Sequence, residues 1–170
     1  DNNAQVAVLA PTEILAEQHF KSFKQHFDKA NIKVGLLIGK MKSNEKKNIL
    51  DSISKSETNI IVGTHALLQE NVNFKDLGLI IIDEQHRFGV SHRKKIVDKG
   101  FNSDILSMTA TPIPRTLAIT IHGDMDISII KESPKNRASI KTKVIDTSSL
   151  SSTYQFMIKE MRQNNQCFIV

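Results

Sequence analysis

Short apolar runs rich in β-branched residues alternate along this chain with stretches whose apolar positions recur at helical spacing. The runs at Val6–Ala10, Lys33–Ile38, Asn59–Val62, Leu79–Ile82 and Ile105–Met108 predict strands. They are apolar at successive positions, so both faces are expected to be buried, as in a parallel sheet. Between them, Thr12–Ala30 predicts a helix, because Ile14, Leu15, Phe20, Phe23 and Phe27 share helical spacing and Thr12 is placed to cap the first turn. Ser43–Ser54 predicts a second helix with Ser43 as its cap, and Val90–Lys99 and Arg115–Thr120 predict shorter ones. Strand and helix in alternation imply an α/β fold with crossover connections. The pattern breaks at Ser133-Pro134-Lys135-Asn136-Arg137, which reads as a linker over 133–138 between residues 1–132 and 139–170. Beyond it, Ile140–Ile145 predicts a strand, Ser149–Gln163 a helix and Cys167–Val170 a strand.

Composition narrows the class. Hydrophobic residues at 39% and charged residues at 24% of 170 suit an ordinary globular chain. No apolar run approaches the length of a membrane span, so no membrane partner is expected. Asp1-Asn2-Asn3 opens no signal-peptide pattern, and the single Cys167 allows no internal disulfide; a cytoplasmic setting is the expectation. The net charge of +5 gathers in stretches such as Lys40, Lys42, Lys46 and Lys47, or Arg87, Arg93, Lys94 and Lys95. Basic surfaces attract phosphate backbones, although solvated helix faces look the same in sequence.

Four segments carry candidate chemistry, each after a predicted strand. Ala10-Pro11-Thr12-Glu13 opens a helix whose free N–H groups can hold a phosphate. Gly63-Thr64-His65 offers a glycine for close backbone approach and a hydroxyl that can donate to a phosphate oxygen. Leu79-Ile80-Ile81-Ile82-Asp83-Glu84-Gln85-His86 delivers two adjacent carboxylates to a strand's C-terminal end, where open α/β sheets place ligands. In nucleotide hydrolysis Asp83 can hold magnesium through water, Glu84 can orient or deprotonate the attacking water, and His86 can face the γ-phosphate. Thr109-Ala110-Thr111-Pro112-Ile113-Pro114-Arg115 sets two hydroxyls at a further strand end, where they can bond to the carboxylate segment.

Two look-alikes carry nothing. Gly35 to Lys40 is one residue short of a phosphate-binding loop, and Met41 stands where Ser or Thr is required. His86 and His92 have no third ligand at zinc-binding spacing.

In this order the four segments resemble motifs of superfamily 2 helicases. The strings Ala10-Pro11-Thr12-Glu13-Ile14-Leu15-Ala16-Glu17-Gln18-His19, Asp83-Glu84-Gln85-His86-Arg87-Phe88-Gly89-Val90 and Thr109-Ala110-Thr111-Pro112-Ile113-Pro114-Arg115-Thr116-Leu117-Ala118 are similar to the RecG branch. Relatives of these strings occur in the transcription-repair coupling translocase Mfd; Gln85, where Mfd typically has a second glutamate, and Glu13 favour RecG.

The resemblance implies a P-loop NTPase (RecA-like) helicase lobe with a mostly parallel sheet, spanning 1–132, and the start of a second lobe over 139–170. It implies ATP and Mg2+ as cofactors and branched double-stranded DNA, such as stalled forks and Holliday junctions, as partner. Asp83, Glu84 and His86 would be catalytic, with Asp83 holding the metal. Thr109, Ala110, Thr111 and Arg115 would couple hydrolysis to movement, while Pro11, Thr12, Glu13, Gly63, Thr64 and His65 would face DNA. A basic α/β nucleic-acid-binding module without catalysis is the alternative. The family's phosphate-binding strand and Gly-Lys-Thr/Ser loop should precede Val6, and these 170 residues hold no such loop. The chain alone is therefore expected to be inactive. The strand at Ile105–Met108 should then have an unpaired edge, to be filled by another copy's strand or by Cys167–Val170 of the same chain, and self-association of the chain is the expected consequence.

Overall fold

The computed structural model describes residues 4–111, 126–132 and 140–170. Its contacts divide the chain into two units, Asp1–Gly123 and Asp124–Val170.

In the first unit five strands form one parallel sheet: β1 (Gln5–Leu9), β2 (Val34–Leu37), β3 (Ile60–Gly63), β4 (Leu77–Ile82) and β5 (Asp104–Ser107), in the order β2-β3-β1-β4-β5. Alternate residues of each strand enter opposite layers, as the pleat requires. Ala7, Leu9, Ile61, Ile80 and Ile82 join Ile53 of α2 (Ser43–Ser54) and Ile96 of α3 (Val90–Val97) in one core cluster. Val8, Ile60 and Val62 join the second cluster, against α1 (Glu13–Phe27). The α/β class with a parallel sheet is thus borne out, and β1 is buried on both faces.

The α1 stripe follows helical spacing: Leu15, Phe20, Phe23 and Phe27 pack on the sheet and Ala16 is buried. Ile14 lies outside it, 68% exposed. Thr12 caps this helix, its hydroxyl accepting from the Leu15 N–H at 3.3 Å. The α2 helix differs from expectation, because Ser43 is its first residue and Lys42 holds the cap position without a side-chain bond.

Gln5 begins β1 and is buried. Its amide donates to the Ile53 and Thr58 carbonyls at 3.0 Å each, and its oxygen accepts from Lys75 N–H at 2.9 Å and Asp76 N–H at 3.3 Å. One polar side chain thereby ties β1 to three other segments.

The second unit holds a short 3-10 turn, Thr147–Ser149, and α4 (Leu150–Arg162). The strands expected at Ile140–Ile145 and Cys167–Val170 are absent, since neither segment pairs with another among the described residues. A strand exists through its ladder, and these segments are exposed: Val144 at 93%, Phe168 at 82%. The helix expected over Arg115–Thr120 and the linker at 133–138 lie outside the described residues. None of the described helices is long and apolar enough to cross a membrane.

Candidate active site

Parallel strands end on the same side, and this brings the four chemistry-bearing segments together. The backbone ladders run past the strand ends. Ala10 N–H donates to Gly63 O at 2.8 Å, Thr64 N–H to Leu37 O at 3.3 Å, Asp83 N–H to Leu9 O at 2.9 Å, and Met108 N–H to Ile82 O at 2.8 Å. Across the sheet the segments therefore stand as Gly63–His65, Ala10–Glu13, Asp83–His86 and Thr109–Thr111. Neighbours in space are separated by about fifty residues or more of chain in two of the three steps, so the fold does the assembling.

Several contacts join the carboxylate turn to the Thr-Ala-Thr turn. Gln85 N–H donates to Met108 O at 3.1 Å, and Ala110 N–H donates to Glu84 Oε2 at 3.3 Å. His86 Nδ1 lies 3.5 Å from the same Glu84 oxygen and 3.4 Å from Thr109 Oγ1, which meets Thr111 Oγ1 at 3.0 Å. Pro11, Thr12, Glu84, His86, Ala110 and Thr111 line one open cleft. Arg115 lies outside the described residues.

Glu84 has a left-handed backbone, φ 47° and ψ 54°. A residue other than glycine rarely adopts it, and such strain concentrates at functional sites. A Gln85–Arg87 3-10 turn follows directly.

The other expected residues have plainer surroundings. Glu13 accepts from Lys40 N–H at 3.1 Å, and Lys40 Nζ reaches Glu17 at 2.8 Å; that hydrogen bond, then the Glu17 charge, raises the Lys40 pKa above its usual value. A Cβ on Gly63 would collide with the Leu37 carbonyl oxygen and the Leu67 side chain, so the close approach this glycine allows is to its neighbouring strand. Thr64 is buried. His65 packs at a 44° tilt against Phe88 (5.3 Å between centroids) and meets His92 edge-on at 4.8 Å. Burial first, and the His92 charge second, lower the His65 pKa.

Sequence reasoning missed His19. Its Nε2 lies 2.7 Å from Asp83 Oδ2, although 64 positions separate them. No spacing in one sequence signals that pairing. Among the described residues no group of three or more acidic, histidine or cysteine side chains gathers as a metal cage.

A family model for DEAD/DEAH box helicases matches residues 1–120. The chain belongs to that helicase family. Within it, the chain is 49% identical over 98% of its length to the ATP-dependent DNA helicase RecG of Streptococcus pneumoniae, and 48% identical, over the same share, to that of Bacillus subtilis. It spans about a quarter of their lengths, 24% of each. A solved RecG bound to a three-way DNA junction superposes with a TM-score of 0.78 at 41% identity, covering 94% of this chain and 21% of that one. The RecG-like reading of the motif strings is borne out, and the Mfd alternative is not favoured.

Proposed function

We propose that the protein carrying this chain is an ATP-driven DNA helicase that remodels branched double-stranded DNA such as stalled forks and Holliday junctions. The observation that carries the reading is the bonded cluster at the sheet's C-terminal edge, where Glu84 touches both Ala110 and His86 and His86 touches Thr109. The RecG relatives and the RecG bound to a three-way junction support the choice of substrate.

Magnesium fits the donors present. It keeps several waters and leans on a nucleotide's phosphates rather than on an all-protein cage, and here two adjacent carboxylates stand without a third ligand among the described residues. Asp83 would hold it through water, and bound there it would neutralise phosphate charge. Glu84 orients the attacking water and accepts its proton, with the Ala110 N–H fixing one carboxylate oxygen. His86 spans Glu84 and Thr109, so a change at the water-activating carboxylate reaches the Thr109–Thr111 turn directly. Arg115 belongs to the same coupling segment. Pro11–Glu13 and the exposed His65, at neighbouring strand ends, would face the DNA backbone, while the buried Gly63 and Thr64 would hold that turn in place.

In this reading residues 1–132 belong to the first motor lobe, 133–138 link, and 139–170 begin the second. A DNA substrate of that kind places the protein in the cytoplasm. The outer edge of β5, with β4 as its one neighbour among the described residues, is where the phosphate-loop strand pairs; in the isolated chain that edge pairs with another copy.

The test is ATP-dependent conversion of a labelled three-way junction by the full-length protein. Strand exchange that requires both ATP and the branch supports the proposal. Turnover of ATP with no change in the junction would overturn it.

A further inference from the structure

We infer that His19 is a positioning residue for Asp83, holding that carboxylate in the orientation that receives the waters of a nucleotide-bound magnesium ion. The inference rests on the function proposed above.

Asp83 directly follows β4 with its side chain only 18% exposed, so the groups bonded to its carboxylate, rather than bulk water, set its orientation. Two donors hold it. The Glu84 N–H donates to Oδ1 at 2.9 Å, and His19 Nε2 lies 2.7 Å from Oδ2. A carboxylate only accepts, so Nε2 is the donor of the second bond. Each oxygen has two acceptor positions, and one donor on each leaves the others for metal-bound water.

His19 is itself held. Its ring stacks on Phe23 at 6.3 Å and 27°, and Phe23 stacks on Phe27 at 6.2 Å and 23°. Phe23 and Phe27 belong to the α1 face that packs on the sheet. The imidazole therefore reaches Asp83 from a row of stacked rings on the sheet-facing side of α1, an outer partner of the kind that orients a carboxylate for a metal. A pair serving only to dock α1 would leave metal affinity unchanged when replaced by another well-packed ring.

The experiment uses the full-length protein with ADP and Mn2+, a hard octahedral stand-in for Mg2+, counting free Mn2+ by electron paramagnetic resonance. His19→Phe keeps a ring on Phe23 but has no N–H. It is expected to weaken Mn2+ binding roughly ten- to a hundredfold and to raise the Mg2+ needed for half-maximal ATP turnover by a similar factor. At saturating Mg2+, kcat should stay within about threefold of native. His19→Gln places an amide N–H near the Nε2 position and should restore Mn2+ affinity to within about threefold. If His19→Phe does not fold, His19→Asn replaces it, because its shorter amide does not reach Oδ2; a similar loss is expected. Native Mn2+ affinity in the donor-less variant, or equal loss in His19→Gln, overturns the inference. Glu84→Gln, measured alongside, separates the two failures: if it leaves turnover intact, the proposed function falls, whatever the Mn2+ result.

Discussion

The backbone N–H of Ala110 donates to Glu84 Oε2 at 3.3 Å, across 26 residues of chain, and this bond ties the turn after β5 to the turn after β4. Thr109 extends the link through His86. Thr109→Ala removes that hydroxyl while leaving the Ala110 N–H in place. With a net hydrogen-bond contribution of about 1 kcal/mol, junction conversion should slow roughly three- to tenfold. ATP turnover should change less than about twofold. Parallel rate measurements on the full-length protein check this, and equal loss in both rates would contradict it.

The left-handed backbone of Glu84 makes a stability prediction independent of activity. Both Glu84→Gly and Glu84→Ala remove the side chain, but only glycine relieves the strain. The Gly variant should be more stable than the Ala variant by about 1 kcal/mol in urea unfolding. An Ala variant of equal or greater stability would contradict a strained turn.

Gln5→Leu keeps volume and burial but leaves the Ile53 and Thr58 carbonyls and the Lys75 and Asp76 N–H groups without this partner. The expected loss is about 2–4 kcal/mol in the urea-unfolding free energy. A change below about 1 kcal/mol would mean that water replaces the amide at these groups.

His65 has its pKa lowered by burial and then by the His92 charge, from an ordinary value of 6.5. The unfolded chain therefore takes up the proton first as pH falls. Stability is unaffected by this group above that value and declines as pH drops from there towards the folded pKa. His65→Phe retains a ring against Phe88 and removes the titration. Its stability should fall less steeply between pH 7 and 5 than that of the native chain. Parallel pH profiles for the two would assign the acid sensitivity elsewhere.

The sheet was legible because burial on both faces leaves an unmistakable trace: Val6–Ala10 and Leu79–Ile82 are apolar at nearly every position, and both mark strands of the sheet. A run of apolar residues misled at Cys167–Val170, and apolar residues flanking Lys141-Thr142-Lys143 misled at Ile140–Ile145, since neither pattern reveals whether a ladder partner stands beside it. The meeting of the four segments was legible too, because parallel strands must end on one side. His19 was not. On α1 it reads as one more polar position, and only the packing of that helix on the sheet brings its ring to Asp83.

The most direct measurement is ATP turnover by the full-length protein carrying Glu84→Gln, in saturating Mg2+ with a three-way DNA junction. Glu84 acts on the attacking water rather than on the bound nucleotide, so turnover should fall by about a hundredfold or more. The Kd for ATP should remain within about threefold of native. Turnover near the native rate would contradict the assignment of Glu84 and, with it, the account of this site.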